Sequence, residues 1–208
     1  MIGDRLIPLQ RHKNNADLIS NQINFNKGII LIYGSSGTGK SETADFLQEK
    51  LFKKHTSLVL SMDDFYLVHP TVRNINRKKQ GVQSVGLSEI NWIDLVRICE
   101  DFQNKRILKF QRVHKYCDVV EHNQVESESI DYLIIEGLYA GYLKKYNFGN
   151  LITFLEGTGA QTLEFRQNRG KENPEDPFRQ QVVQKENKVI GQLKKYANLI
   201  IPFYETNN

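Results

Sequence analysis

A glycine-rich segment that ends in lysine and serine is the part of the sequence best suited to chemistry. It reads Gly34-Ser35-Ser36-Gly37-Thr38-Gly39-Lys40-Ser41 and matches the pattern G-x-x-x-x-G-K-S/T. Glycines allow the backbone to curl so that successive N–H groups and a helix N-terminus converge on a phosphate chain. Lys40 would place its charge at the β- and γ-phosphates, and the Ser41 hydroxyl would bind Mg²⁺. The segment therefore predicts a site for a nucleoside triphosphate and Mg²⁺.

Two acidic segments contain carboxylates that could complete this site. In Ser61-Met62-Asp63-Asp64-Phe65-Tyr66, a carboxylate could accept the proton of an attacking hydroxyl or hold a magnesium-bound water. On spacing alone, an Asp pair that caps a turn explains this segment equally well. The second segment is the apolar run 132–135, which ends in Glu136. It is similar to a Walker B element, whose acid holds Mg²⁺ directly or through water.

A polar stretch from 166 to 179 contains arginines that could act on phosphates. Arg166, Arg169 and Arg179 lie in a segment with one glycine and two prolines between helical patterns, which predicts a mobile loop. Arginines on such a loop could close over the phosphates, exclude water and neutralise charge on the transferring group. The alternative is a solvated helix end whose arginines face water.

Alternating apolar runs and helical patterns predict the elements that position these segments. Strands are expected at 28–33, 57–61, 132–135, 151–155 and 199–201, and helices from the glycine-rich loop to about residue 54 and at 90–102, 137–145, 158–169 and 177–195. Residues 107–113, continuing toward 119, are interpreted as an extended excursion, and 16–23 as a helix packed on the sheet. The pattern predicts an α/β fold with a parallel sheet covered on both faces. Functional residues would lie at the carboxyl ends of its strands.

Composition limits the classes of protein to consider. The chain has 208 residues, a formal net charge of +4, 39% hydrophobic residues and 25% charged residues. These values argue against a disordered, collagen-like or membrane-spanning chain. The length predicts one domain over residues 1–208, with residues 1–27 as an N-terminal extension. No signal peptide is expected, because charged residues precede any apolar stretch at the N-terminus. The two cysteines are too few and too widely separated for a disulfide framework, so a cytoplasmic location is expected.

The charge distribution favours small anionic partners. A mild positive balance suits phosphates better than a nucleic-acid backbone, and neither a nucleic-acid nor a membrane partner is expected. Basic spots occur at 53–54, 77–79 and 194–195. Each is interpreted as a solvated helix or loop face.

Five motifs, in this order along the chain, resemble the uridine kinase and phosphoribulokinase family of P-loop kinases. They are GSSGTGKS, SMDDFY, LIIEGLYA, the arginines around RQNRG, and KKYANLIIP, and they extend over most of the chain from Gly28 to Pro202. The resemblance implies a P-loop NTPase-type parallel sheet with helices on both faces and a mobile lid at about residues 166–180. It also implies ATP or GTP with Mg²⁺ as donor and a small molecule with a hydroxyl group as acceptor. Members of this family are often oligomers, so a homo-oligomer is one option.

The same resemblance implies roles for individual residues on the donor side. Asp63 looks like the general base that activates the acceptor hydroxyl, and Glu136 falls on the acid that holds Mg²⁺. Arg166 and Arg169 fall on the lid helix of the family, the first as a nucleotide contact. The second, together with Lys40 and Asp63, is expected to be catalytic.

Acceptor contacts are expected from Asp64, Tyr66, His114 and Arg179, of which Arg179 is a looser match because spacing varies in this segment. His114 matches the histidine with which uridine kinases grip the pyrimidine, but the preceding Tyr-Asp pair of those enzymes is missing here. A satisfied structural histidine is therefore the alternative for this position.

The leading functional hypothesis is an ATP-dependent kinase of a nucleoside-like acceptor. Kinases of nicotinamide riboside, pantothenate, glycerate or a sugar phosphate are alternatives within the same superfamily. A regulatory P-loop NTPase is a further alternative, although the Asn-Lys-x-Asp element for guanine is absent and Gly137, not a second acid, follows Glu136. The last alternative is a protein that binds the nucleotide without transferring its phosphoryl group.

Overall fold

The computed structural model describes residues 1–3, 5–168, 173 and 176–203. In chain order its α-helices and strands are α1 (Gln10–Asn21), β1 (Gly28–Gly34), α2 (Lys40–Leu51), β2 (Ser57–Ser61), α3 (Pro70–Gln80), α4 (Trp92–Gln103), β3 (Ile107–Val113), β4 (Val120–Glu126), β5 (Tyr132–Glu136), β6 (Leu151–Leu155), α5 (Leu163–Asn168), α6 (Pro177–Leu193) and β7 (Leu199–Ile201). Short 3₁₀-helices, among them Met62–Phe65 and Ala140–Tyr146, lie in the connections.

Five of the strands form one parallel sheet in the order β2-β5-β1-β6-β7. Strands β1, β5 and β6 are buried along their whole length, as expected for apolar strands covered on both faces. The register pairs Ser61 of β2 with Glu136 of β5, and Glu136 with Ile32 of β1. The predicted α/β fold with a parallel sheet is therefore confirmed.

Alternate residues of β1 face opposite sides of the sheet and join two separate cores. Ile30 packs in a cluster with Ala16 of α1 and Leu47 of α2. Leu31 packs in a larger cluster with Ile98 of α4 and Ile190 of α6. Helices thus cover both faces, and α1 is part of the first layer.

Helix α1 was expected only from residue 16 and begins at Gln10 instead. Its first turn is difficult to recognise in the sequence because the buried residues there are polar, namely Arg11 and His12. Ala16 and Ile19, which the apolar pattern does identify, are fully buried against the sheet. The N-terminal extension is therefore packed into the fold.

The extended excursion after α4 is one strand of a hairpin outside the main sheet. Strand β3 pairs antiparallel with β4, from Ile107 opposite Glu126 to Val113 opposite Val120. Strand β4 is mostly exposed and polar, so it has none of the apolar character that identifies a buried strand.

Helix α3 has no counterpart among the predicted elements. Pro70 occupies its first turn and His69 caps it, but Arg77 is its one buried residue. A helix without an apolar stripe gives no periodic signal. The interpretation of 77–79 as a solvated face is consequently wrong for Arg77, which is 4% exposed, and correct for Lys78 and Lys79, which are exposed.

Two predicted helices are shorter than expected. The helix expected at 137–145 is the 3₁₀-helix Ala140–Tyr146. The helix expected at 158–169 begins at Leu163, because Thr158 and Gln161 bond to each other in a preceding turn. The predicted mobile lid at 166–180 falls partly on residues outside those described, so its mobility stays a prediction. Within the described ranges, no helix combines the length and apolar character needed to cross a membrane.

Candidate functional site

Three segments that the sequence singles out meet at the carboxyl edge of the sheet. The P-loop, residues 34–41, connects β1 to α2, and the 3₁₀-helix with Asp63 follows β2 directly. Glu136 is the last residue of β5, which lies between β1 and β2. Because parallel strands end on the same side, the topology brings the glycine-rich loop and both candidate acids together.

The P-loop has the left-handed backbone that its glycines allow. Gly37 and Gly39 have φ angles of +85° and +84°, a region that residues with a Cβ rarely adopt. Lys40 Nζ donates to the carbonyl oxygen of Ser35 at 2.8 Å, and Thr38 Oγ1 donates to the same oxygen at 2.9 Å. The loop therefore curls back on itself, as a phosphate-binding loop requires.

Helix α1 supports this loop from outside the sheet. A Cβ on Gly39 would lie 2.2 Å from Nε2 of His12, whose ring is 2% exposed. The guanidinium of the neighbouring Arg11 lies 3.9 Å from the ring centroid of Phe165 and 4.3 Å from that of Phe203. The N-terminal extension thus contacts the P-loop, a role with no recognisable sequence signal.

Replacing Gly39 by Ala is expected to destabilise the fold by at least about 1–2 kcal/mol, the cost of a left-handed backbone for an L-residue. The added methyl group would also collide with His12, which should weaken binding of an ATP analogue. Chemical denaturation and titration of the analogue measure the two effects. In the matched control Gly191→Ala the new methyl group meets nothing within 4 Å inside α6, so stability should rise by about 0.5–1 kcal/mol. Unchanged stability in Gly39→Ala would show that the contact between α1 and the loop is unimportant.

Glu136 is a buried carboxylate beside other charged groups of the site. Burial raises the pKa of Glu136, and the Asp63 carboxylate raises it further. Lys40 and a hydrogen bond from the Ser61 hydroxyl lower the same pKa. The register pairs Glu136 with Ser61, two residues before Asp63, which places both carboxylates at the same edge of the sheet.

The oxygen donors at this edge suit a magnesium ion. The Ser41 hydroxyl and the Glu136 carboxylate are hard ligands of the kind that Mg²⁺ prefers. Among the described residues no group of three or more His, Cys, Asp or Glu side chains could hold a metal by itself. Mg²⁺ in nucleotide sites is typically held by one or two carboxylates plus substrate phosphates, so the donors present fit it.

A cavity of about 450 Å³ opens next to the P-loop. Ser36 of the P-loop, Asp63, Tyr66 and Arg179 all line it, so the structure brings four predicted site residues to one space. Asp63 is half-buried, with its backbone N–H donating to Ser61 Oγ at 3.4 Å. A molecule in this cavity would therefore touch both the P-loop and a carboxylate.

Asp64 and His114 occupy different surroundings. The Asp64 carboxylate is 1% exposed and accepts from the backbone N–H of Val113 at 3.1 Å, which attaches β3 to the 3₁₀-helix. His114 Nε2 lies 2.9 Å from Glu121 across the hairpin, and its carbonyl oxygen lies 2.8 Å from His69 Nε2. Each side chain bonds to another part of the protein, and neither is among the residues that line the cavity.

Of the two lid arginines, one is described. Arg166 is 5% exposed and donates to the Thr162 hydroxyl and to the carbonyl oxygen of Gly159 at 3.2 Å. A Cβ on Gly37 would lie 3.0 Å from Arg166 Cγ, which puts this arginine against the P-loop. Arg169 lies outside the described residues.

Several residues of the cavity wall are not predicted as site residues from the sequence. They are Arg73, Arg77, Lys115, Tyr116 and Glu186. Arg73 and Arg77 are four residues apart on α3 and so share a helix face, but no apolar pattern identifies the helix itself. Glu186 is buried in α6, where a carboxylate is usually expected to face water.

The sequence is similar to those of known proteins over much of its length. The family model for Zeta toxin matches residues 15–100, which include the P-loop and Asp63. Uridine kinase of Ureaplasma parvum serovar 3 is 23% identical over 188 residues, covering 86% of this chain and 89% of that protein.

Solved structures share the fold at low sequence identity. A protein described as a possible uridine kinase from Bacillus stearothermophilus superposes with a TM-score of 0.62 at 16% identity, covering 92% of this chain and 97% of its own. A protein proposed to be a fructose transport system kinase, from Silicibacter sp. TM1040, gives a TM-score of 0.67 at 16% identity, with 92% and 98% covered. Phosphoribulokinase from Rhodobacter spheroides gives 0.60 at 13% identity, with 88% and 73% covered. The chain has the fold of the P-loop kinases, and its resemblance to uridine kinase and phosphoribulokinase is confirmed.

Proposed function

We propose that the protein is a kinase that transfers the γ-phosphoryl group of Mg²⁺-bound ATP to a hydroxyl of a small molecule. One observation carries the proposal: Ser36 of the P-loop and the Asp63 carboxylate line the same cavity. The donor phosphates and an acceptor hydroxyl could therefore meet beside a proton acceptor. The names of the relatives support the same class of reaction.

The donor site is formed by the P-loop and its neighbours. Backbone N–H groups of residues 34–41 and the Lys40 ammonium would bind the phosphates, and Arg166 would contact the nucleotide beside Gly37. Ser41 and Glu136 would hold Mg²⁺, which supplies neutralisation of phosphate charge when bound. Arg169 is proposed from the sequence alone to contact the transferring group.

Asp63 would act as the general base. The acceptor hydroxyl gives its proton to the Asp63 carboxylate while its oxygen forms a bond to the γ-phosphorus. The bond from that phosphorus to the β–γ bridging oxygen breaks, and ADP leaves with the electron pair. Arg179, at the beginning of α6 and on the cavity wall, would balance the negative charge of the transferring group.

Several acceptors are compatible with this type of reaction. A nucleoside-like acceptor is the prediction that the uridine kinase relatives support. Nicotinamide riboside, pantothenate, glycerate and sugar phosphates remain alternatives for the same site. The choice between ATP and GTP, the cytoplasmic location and a homo-oligomer also stay predictions.

An assay of ADP release with Mg²⁺ and ATP tests the proposal. The panel of acceptors contains nucleosides, nicotinamide riboside, pantothenate, glycerate and sugar phosphates, with GTP as a second donor. Stimulation by one acceptor is expected. Steady ADP release that no acceptor changes would favour the regulatory NTPase, and tight ATP binding without release would favour a nucleotide-binding protein.

A further inference from the structure

The cavity beside Asp63 has more cationic than anionic side chains. Of its fourteen lining residues, four are Arg or Lys and two are Asp or Glu. The cations are Arg73 and Arg77 of α3, Lys115 after β3, and Arg179 of α6. A neutral ligand would not offset this excess of positive charge. The charge that a ligand meets depends on which of these cations already pair with carboxylates of the protein.

Arg77 is fully compensated within the protein. Its Nε and Nη2 donate to the two carboxylate oxygens of Glu89 at 2.6 and 2.8 Å, and its Nη1 donates to Glu186 at 3.2 Å. All three side chains are largely buried. Arg77 therefore joins α3 to α6, and two carboxylates of the protein offset its charge.

Arg73 is held in a different way. Its Cζ lies 3.5 Å from the centroid of the Tyr66 ring, and Tyr66 lines the same cavity. The Nε–H of Arg73 is buried without a hydrogen-bond acceptor, and among the described side chains none forms a salt bridge with it. A buried donor without an acceptor is costly. Because this Nε is closed to solvent, an oxyanion in the cavity would bind the terminal nitrogens of the same guanidinium.

Stacking on Tyr66 also makes Arg73 well suited to bind an anion. A guanidinium that stacks on a ring keeps its plane fixed, so its fork of N–H groups loses little freedom when it binds an oxyanion. Tyr66 and Asp63 line the same cavity, so the stacked Arg73 and the proposed base face one space. Lys115 contributes a second cation to the wall, with Nζ 4.9 Å from the centroid of the Tyr116 ring.

We infer that the acceptor carries an anionic group, a phosphate or a carboxylate, which Arg73 and Lys115 bind while its hydroxyl faces Asp63. Both oxyanions match the planar fork of an arginine, so the chemistry they share is what the wall recognises. This inference rests on the proposed function for the identity of the ligand as an acceptor. It favours glycerate, pantothenate and sugar phosphates over a neutral nucleoside.

The anion site can be tested without phosphoryl transfer. The protein is first saturated with Mg²⁺ and adenylyl imidodiphosphate so that the P-loop is occupied, and inorganic phosphate or acetate is then added. The Nε–H resonance of Arg73 is expected to shift in a saturable way in the ¹H–¹⁵N spectrum. Absence of a shift with both anions at millimolar concentration would overturn the inference.

Matched acceptors test the same site in transfer. Glycerol is compared with glycerate and glycerol 3-phosphate, ribose with ribonate and ribose 5-phosphate, and uridine is the neutral nucleoside. An anionic member is expected to be the better acceptor, and Arg73→Gln should raise its KM by about tenfold or more, as loss of a charge-assisted hydrogen bond predicts. Comparing the carboxylate with the phosphate member distinguishes the two anions.

A conservative variant of Arg73 and a control variant on the same helix complete the test. Arg73→Lys retains the charge but not the fork, so it should recover part of the affinity. Lys79→Gln removes an exposed cation of the same helix and should leave KM unchanged. Efficient phosphorylation of uridine or ribose that Arg73→Gln does not affect would overturn the anion site and keep the proposed kinase. An Arg73 shift without transfer to any acceptor would keep the anion site and count against the kinase.

Discussion

Replacing Asp63 by Asn is expected to slow phosphoryl transfer by about 10²–10⁴-fold, the range attributed to a general base. The amide cannot accept the proton of the acceptor hydroxyl, yet it has the shape of the carboxylate. Asp63 is half-buried and lines the cavity, so the substitution should not disturb the core. Acceptor-dependent ADP release measures the loss, and titration with an ATP analogue should give nearly wild-type affinity because the P-loop is intact.

A surface carboxylate provides the control for this variant. Asp17 lies on α1 and pairs with Lys50 at 2.7 Å, with both side chains more than two-fifths exposed. Asp17→Asn should retain wild-type transfer, since exposed pairs contribute little to stability. If Asp63→Asn kept full activity with its acceptor, Asp63 would not be the base.

Replacing Arg77 by Met is expected to lower the free energy of unfolding by about 3–5 kcal/mol, the usual cost of removing one partner of a buried ion pair. Glu89 and Glu186 would remain close together in the interior without the cation that binds both of them. Urea denaturation followed by circular dichroism measures the change. Lys79→Met, an exposed substitution on the same helix, should change stability by less than about 0.5 kcal/mol.

The loss of unfolding free energy in Arg77→Met should also depend on pH. Burial raises the pKa of Glu186, while Arg179 and Arg77 lower it, so the variant should raise this pKa further above that of the unfolded chain. A carboxyl group with a raised pKa in the folded state binds its proton more readily there, so stability falls as pH rises through that window. The difference from wild type should therefore be largest at neutral pH and shrink toward about pH 4.3, the ordinary pKa of Glu. A deficit below about 1 kcal/mol at neutral pH would contradict the role of Arg77.

The sequence predicts those parts of the site that have local signals. The P-loop is a contiguous motif between a strand and a helix. Asp63 follows the end of β2 by two residues, and Glu136 is the last residue of β5. A parallel sheet then requires all three to lie at one edge. The observed strand order β2-β5-β1 confirms that expectation.

The acceptor side could not be predicted in the same way. Helix α3 buries only Arg77, so no apolar period identifies the helix or separates this residue from Lys78 and Lys79. The partners of Arg77 are 12 and 109 residues away along the chain, a separation at which sequence spacing carries no information. The support of Gly39 by His12 is equally non-local, and the pairing of Asp64 with β3 depends on a hairpin whose second strand is polar.

The most direct test of the central claim is to follow the γ-phosphoryl group itself. The protein is incubated with Mg²⁺ and ATP plus each acceptor, and ³¹P spectra quantify ADP, inorganic phosphate and any phosphorylated acceptor. The kinase proposal predicts that one acceptor raises ADP formation and that its phosphate ester accounts for most of the ADP. Formation of inorganic phosphate alone, at a rate that no acceptor changes, would contradict it.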